Sequence, residues 1–139
     1  MVFLMGPTAS GKTDLAVELV RRFPFEIISV DSVMVYRELE VGSAKPDSAV
    51  LSEAPHRLID IVDPPDVYSA ARFRRDALLA IDAIRDGGAS PWLVGGTMLY
   101  FQALERGLSD LPAADPELRE RIARRAQQLG WPALHAELA

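Results

Sequence analysis

The feature that most constrains this chain is a glycine-rich segment close to its start. The sequence GPTASGKT occupies residues 6–13, fits the pattern G-x-x-x-x-G-K-[ST], and follows the short apolar run MVFLM. Glycines let backbone N–H groups approach phosphate oxygens, and the N-terminus of the next helix favours negative charge. The pattern therefore predicts a phosphate-binding P-loop between a buried strand and a helix. The alternative is a glycine turn that only joins the two elements.

Each position of this loop is a candidate binding residue. The ammonium of one lysine supplies a mobile positive charge, and the hydroxyl that follows it is the expected ligand of Mg²⁺, the only cofactor predicted. The loop alone favours ATP, but it is also compatible with a diphosphate that leaves during the reaction. The predicted site consists of Gly6, Pro7, Thr8, Ala9, Ser10, Gly11, Lys12 and Thr13, with Thr13 as the metal ligand.

Strands and helices alternate along the first part of the chain. This order predicts an α/β fold in which a mostly parallel sheet has helices on both faces, with the P-loop after its first strand. The predicted strands lie at 1–5, 26–30, 57–62 and 91–94, and the predicted helices at 11–22, 69–86 and 97–106, with 32–55 irregular or partly helical.

The alternation of predicted strands and helices ends after Leu111, and consecutive predicted helices follow. Asp115-Pro116 begins a predicted helix over 116–129, and Trp131 begins another. We expect an α/β core over 1–111 and the start of a helical insertion over 112–139. The chain begins directly on an apolar strand and ends inside a predicted helix, so we expect both parts to be incomplete.

Composition excludes several classes of protein. The 139 residues include no cysteine, which excludes disulfides and cysteine metal sites. There is no apolar run long enough to span a membrane. A net charge of −5 argues against non-specific coating of nucleic acid. We expect a cytoplasmic protein without membrane partners, and a monomer.

Two polar residues follow predicted strands at the edge of the sheet where ligands bind. Asp31 follows the second strand, and from position alone it is a Mg²⁺ ligand, a general base, or a cap of its own turn. Thr97 follows the fourth strand, where it caps the next helix or presents its hydroxyl to a ligand. We predict that both face the cavity of the P-loop.

The remaining charged candidates have competing interpretations. Lys45, in the segment GSAKP, either contacts phosphate or is a solvated loop residue. The arginines at 119–125 could bind RNA phosphates or close over a nucleotide, but Glu117 and Glu120 can pair with Arg121 and Arg124, which favours a solvated helix face. His56 and His135 are isolated, and both are interpreted as structural residues.

The motifs together resemble the tRNA dimethylallyltransferase (isopentenyl-tRNA transferase) family. The resemblance implies transfer of a dimethylallyl group from dimethylallyl diphosphate to N6 of the adenosine on the 3′ side of the anticodon. It also implies Mg²⁺, a P-loop kinase-like core, and an inserted helical domain that binds the anticodon stem-loop. The segments that carry it, in order, are GPTASGKT, DSVMVYRELEVGSAKP, PHRLID, YSAARFRRDA, VGGTMLY and LSDLPAADPELR.

The resemblance also implies roles for individual residues. The loop of Gly6–Thr13 would hold the diphosphate, a site commonly described as nucleotide-binding or ATP-binding. The catalytic residues would be Asp31, as the general base, and Thr97, which would touch the target adenine. The implied tRNA contacts are Asp31, Ser32, Val33, Met34, Thr97 and Arg119. The sequence departs from the usual family pattern at four positions, namely Met34, Ser43, Arg57 and Met98.

Two other functions remain compatible with the sequence. A small-molecule kinase would use the same loop with ATP, and the arginine-rich helix would close over the nucleotide. A fragment that binds phosphate without turnover would use the loop alone.

Overall fold

The computed structural model describes residues 1–40, 42–108 and 115–138. The chain divides into two compact units, Met1–Leu108 and Ser109–Ala139, and each is described by itself. In the first unit the strands form one parallel sheet in the order β1-β4-β2-β3. The elements of this unit are β1 (Val2–Met5), α1 (Lys12–Arg22), β2 (Phe25–Val30), α2 (Ser48–Glu53), β3 (His56–Arg57), α3 (Ala70–Asp86), β4 (Ser90–Gly95) and α4 (Met98–Arg106).

Helices cover both faces of this sheet. Successive residues of a strand point to opposite faces, so Ile27 and Ile28 of β2 belong to different cores. Ile27 packs with Ala16 and Val17 of α1. Ile28 lies in the larger core, formed with α3 and α4, whose members include Val30, Phe73, Ile81, Ile84, Leu93, Tyr100 and Phe101. The predicted α/β class with helices on both faces is confirmed.

The longest helix is the one that the apolar spacing predicts most clearly. The hydroxyl of Ser69 accepts a hydrogen bond from Arg72 N, which caps α3, and Gly87 follows its last residue. Phe73, Ala77 and Ile84 are buried on one face. None of the helices described is long and apolar enough to cross a membrane.

The third strand was predicted over 57–62, and most of that prediction is wrong. In this part of the chain, the residues that pair with β2 are His56 and Arg57. Leu58 and Asp60 have φ angles of +65° and +54°, so the backbone turns out of the sheet. The N–H groups of Ile61 and Val62 donate instead to Val35 O at 2.9 and 3.0 Å, and the side chain of Val62 is buried while that of Ile61 is partly buried.

The second unit is helical over its described residues 115–138. Helix α5 spans Pro116–Leu129 and α6 spans Trp131–Ala136, which confirms the predicted helix at 116–129 and the start of the next. The carboxylate of Asp115 accepts hydrogen bonds from Glu117 N and Leu118 N and caps α5. The predicted domain boundary between 111 and 112 lies outside the described residues.

Candidate active site

Three strands end close together at one edge of the sheet. A Cβ added to Gly95 would lie 2.1 Å from the carbonyl oxygen of Val30, so only glycine allows β4 to lie this close to β2. The N–H of Gly6 donates to Gly95 O at 3.3 Å, which links the start of the phosphate loop to the end of β4. The glycines therefore bring the ends of β1, β2 and β4 to one place.

The phosphate loop has the predicted position between strand β1 and helix α1. Its backbone is left-handed at Ala9 (φ +61°) and Gly11 (φ +77°), and α1 begins at Lys12. The ammonium of Lys12 donates to Pro7 O and to Ser10 Oγ, at 3.3 Å for the hydroxyl. Both acceptors belong to the loop, so this cation lies over the loop that would surround a phosphate group.

A cavity of about 350 Å³ opens beside the phosphate loop. Thr8 to Asp14 line one side of it, which gives that side backbone N–H groups, hydroxyls and the Lys12 ammonium. The rest of the lining includes an apolar group, formed by Val33, Met34, Ala44, Pro46 and Val94. The glycines Gly42, Gly95 and Gly96 and the polar residues Ser29, Asp31, Ser43 and His56 complete it. The cavity can therefore hold a ligand with one anionic and one apolar end.

Asp31 lines this cavity at the end of β2. Its Oδ1 accepts hydrogen bonds from Val33 N at 2.8 Å and Met34 N at 3.1 Å, so the carboxylate also caps its own turn. Oδ2 accepts no hydrogen bond from the part of the chain that the structure describes. The turn cap is thus observed, and the roles of base and metal ligand stay predictions.

Thr97 occupies the predicted N-cap position of α4, and its carbonyl accepts from Tyr100 N at 3.0 Å, but its side chain has another role. Its side chain makes no capping hydrogen bond with α4, and its hydroxyl instead accepts from Ser32 N at 3.1 Å. Of the described residues, neither Thr97 nor Ser32 lines the cavity, whereas their neighbours Asp31, Val33 and Gly96 do. The observed role of the hydroxyl is therefore to join the ends of two strands, and contact between Thr97 and a ligand stays a prediction.

His56 lines the cavity and was not predicted to belong to the site. Its Nδ1 lies 2.6 Å from Ala54 O, and the ring is partly buried. Burial lowers the pKa of His56, and the hydrogen bond to the Ala54 carbonyl opposes this only in part. The only available signal was its position after Pro55, at a short strand that the sequence does not reveal.

Neither sequence interpretation of Lys45 is correct. Its side chain is only 7% exposed, and Nζ donates to Tyr36 O and to Asp60 Oδ1, each at 2.6 Å. Among the described residues Lys45 does not line the cavity, although Ala44 and Pro46 do. Lys45 is therefore a buried, paired lysine and neither a solvated residue nor a contact to the phosphate side.

The arginine-rich helix α5 exposes its charges. Arg124 pairs with Glu120 at 3.3 Å, as the spacing predicts, and both side chains are exposed. The predicted partner of Arg121, Glu117, forms no ion pair with it among the residues described. Arg119 is also exposed, and its N–H donates to Asp115 O within the helix. Contact between Arg119 and tRNA stays a prediction.

The donors beside the loop are compatible with Mg²⁺. In the described ranges, no group of three or more acidic or histidine side chains could hold a metal ion by itself. Mg²⁺ at phosphate sites takes one or two protein ligands, and phosphate oxygens and water complete its shell. The hydroxyl-bearing Thr13 and the carboxylate of Asp31 line the same cavity, so these residues fit a metal that arrives with a phosphate ligand.

Comparison with known proteins gives one consistent match. Residues 34–139 match the family described as IPP transferase, and residues 1–60 match that described as isopentenyl transferase. The first match covers most of the chain. The chain belongs to the IPP transferase family.

Individual relatives agree with this membership. The tRNA dimethylallyltransferase of Thioalkalivibrio sulfidiphilus is 66% identical over 138 residues, which are 99% of this chain and 43% of the relative. That of Alkalilimnicola ehrlichii is 63% identical over 139 residues, or 100% of this chain and 44% of the relative. The chain therefore spans less than half the length of these IPP transferase relatives.

Solved structures of the family share the fold. The full-length tRNA isopentenylpyrophosphate transferase from Bacillus halodurans matches with a TM-score of 0.75 at 39% identity, over 99% of this chain and 46% of that one. A eukaryotic dimethylallyltransferase acting on tRNA also gives 0.75, at 28% identity, over 84% of this chain and 30% of that one. These matches confirm the fold class and the resemblance stated from the sequence motifs.

Proposed function

We propose that this chain forms the diphosphate-binding core of a tRNA dimethylallyltransferase. The reaction moves the dimethylallyl group of dimethylallyl diphosphate to N6 of the adenosine on the 3′ side of the anticodon, and diphosphate is released. One observation carries the proposal: the cavity joins a phosphate loop to an apolar wall that includes Val33, Met34 and Pro46. A prenyl diphosphate has the same two ends, and relatives that match this chain are named for this transfer.

The phosphate loop would stabilise the leaving group. As the allylic C–O bond breaks, negative charge grows on the departing diphosphate, and fixed N–H groups and the Lys12 ammonium stabilise it most where it develops. Thr13 would hold Mg²⁺ against the same oxygens, and the metal supplies further neutralisation when bound. Lys12 would have to exchange its contact with Pro7 O for one with phosphate.

Asp31 would accept the proton from the reacting amine. An exocyclic adenine amine is a weak nucleophile, so its attack on the allylic carbon benefits from a positioned base. The new C–N bond forms while the C–O bond breaks, and the N6 proton passes to the carboxylate. Because Oδ1 already accepts two N–H bonds, Oδ2 is the oxygen assigned to this proton.

The adenosine would reach this cavity only after leaving its stack in the RNA. We assign Ser32, Val33 and Met34, which follow Asp31, and Thr97, which is bonded to Ser32, to the contact region for the anticodon loop. Val33 is exposed and Met34 partly exposed at the cavity, and their apolar surfaces suit a base edge or ring. Arg119 of the second unit is assigned to the RNA backbone, since phosphate contacts favour arginine.

The test is a transfer assay with a chimaera, because this chain spans under half of its relatives. The chain is joined to the remaining part of the Thioalkalivibrio sulfidiphilus protein and incubated with labelled dimethylallyl diphosphate and unmodified tRNA. We expect label on the tRNA, and none on a control tRNA with guanosine at the target position. ATP hydrolysis without label on tRNA would instead support the kinase. If the chain alone binds diphosphate but transfers no dimethylallyl group, it acts as a phosphate-binding fragment without turnover.

A further inference from the structure

We propose that Lys45 is a positioning residue that fixes one wall of the cavity through its ion pair with Asp60. The wall segment is residues 42–46, of which Gly42, Ser43, Ala44 and Pro46 line the cavity. Lys45 lies inside that segment, but its side chain is directed to partners outside the cavity lining. The inference rests on the proposed function only in taking diphosphate as the ligand of this cavity.

The contacts of Lys45 are those of a fixed cation. Nζ is 2.6 Å from both Tyr36 O and Asp60 Oδ1, and only 7% of the side chain is exposed. Burial of an ammonium is unfavourable unless hydrogen bonds and an opposite charge replace water. Tyr36 and Asp60 supply both, so the position of Nζ is determined by these two residues.

The partners of Lys45 belong to a second structure, which we call the loop platform, residues 34–37 and 60–62. Its two segments are joined by backbone bonds from Asp60 N to Met34 O (3.1 Å), Ile61 N to Val35 O (2.9 Å) and Arg37 N to Val62 O (2.8 Å). Val35 and Val62 are buried in the larger core, which holds the loop platform in place. Lys45 therefore fastens the wall segment to an anchored structure.

Backbone strain shows why the wall needs this fastening. Ala44 and Asp60 have φ angles of +53° and +54°, in the left-handed region that residues with a Cβ rarely adopt. Such conformations persist only where surrounding contacts hold them. The Lys45–Asp60 pair acts directly on both positions, because Asp60 supplies the carboxylate of the pair and Ala44 precedes Lys45 in the sequence. Without the pair, we expect the wall to relax and the cavity to lose its shape.

The experiment compares four variants of the 139-residue chain by calorimetric binding of inorganic diphosphate with Mg²⁺. Lys45→Met keeps the apolar stem, and the Asp60 carboxylate that it leaves is 44% exposed and can be hydrated. We expect Lys45→Met and Asp60→Asn each to weaken binding about 10-fold, a typical effect of one pair on a coupled site. The double variant should be no weaker than either single variant. All should melt cooperatively within a few degrees of the parent.

The matched control is Asp63→Asn, because Asp63 pairs with Arg37 of the same platform at 2.6 Å but is largely exposed. It should bind diphosphate as the parent does. Weaker binding in Lys45→Met but not in Asp60→Asn would mean that Lys45 contacts the ligand itself and would overturn the proposal, as would parental affinity in both. Failure of the parent chain to bind diphosphate would contradict the proposed function first.

Discussion

The backbone N–H of Ser32 donates to the hydroxyl of Thr97 at 3.1 Å, across 65 residues of sequence. A second bond, from Thr97 N to Val30 O at 3.2 Å, joins the same two strand ends. Asp31 lies between Val30 and Ser32, so residues on both sides of it are fixed to the end of β4. The proposed base thus owes its position to a threonine that does not line the cavity.

Replacing Thr97 by valine should loosen this connection. Valine has nearly the same shape but cannot accept the Ser32 N–H, and a lost hydrogen bond of this kind costs about 1 kcal/mol. Urea unfolding should show that loss in Thr97→Val, and Thr97→Ser, which keeps the hydroxyl, should retain most of the parental free energy of unfolding. An equal free energy of unfolding for Thr97→Val and the parent would show that this hydrogen bond does not stabilise the fold.

Gly95 should be the least replaceable glycine at the site. A Cβ there would meet Val30 O at 2.1 Å, and the nearest atoms are all backbone of Val30, which cannot move aside as a side chain can, so we expect Gly95→Ala to cost about 3 kcal/mol or more. Gly87→Ala is the control, because its Cβ would meet backbone oxygens only at 3.4 and 3.5 Å and its φ is −74°. Thermal melts compare the two, and similar melting temperatures would refute the close approach of β4 to β2.

His56 should make the stability of the fold depend on pH. Burial lowers its pKa from the ordinary value of 6.5, so the unfolded chain binds the proton more readily than the folded chain does. The contribution of neutral His56 to the free energy of unfolding is therefore fully present above about pH 6.5. It is lost as the pH falls through the lowered pKa of the folded state. In His56→Asn, whose amide can still donate to Ala54 O, this loss should be absent.

The measurement for His56 is the free energy of unfolding at pH 7.5 and 5.5, in both proteins. Glu18 and Glu53, whose pKa values are lowered by arginine partners, lose their contributions only below about 4.5 and so do not enter this window. Parallel pH profiles for the parent and His56→Asn would show that His56 is not the group responsible.

Local sequence patterns predicted the parts of the fold that local forces determine. The apolar spacing and the Ser69 cap gave α3, and the glycine pattern after β1 gave the phosphate loop. The error at 57–62 arose because Ile61 and Val62 are as apolar as a buried strand. Their partner is the loop at Val35, which no nearby residue reveals.

The same limit applies to the site. Asp31 could be identified because strand ends in parallel sheets face ligands. The ion pair of Lys45 with Asp60, the bond of Ser32 to Thr97 and the place of His56 all depend on residues distant in sequence or on the packing of the cavity. Such contacts follow only when the tertiary structure is known.

Substitution of Asp31 can separate its proposed role as a base from its observed role as the cap of its turn. Asp31→Asn keeps an oxygen to accept from Val33 N and Met34 N, so the fold should be retained, but the side chain can no longer take a proton. In the chimaera we expect transfer to fall by about 10²- to 10⁴-fold, as for loss of a general base, with diphosphate affinity nearly unchanged. Equal losses of transfer and of Mg²⁺-dependent diphosphate binding would identify Asp31 as a metal ligand instead.

The central claim is that the phosphate loop holds a leaving group. It is tested most directly with dimethylallyl diphosphate that carries one label in the allylic carbons and another in the phosphates, incubated with the chimaera and unmodified tRNA. We expect the carbon label on the tRNA and the phosphate label as free inorganic diphosphate, one for each group transferred. Phosphate label on the RNA, or release of diphosphate without carbon label on the tRNA, would contradict the claim.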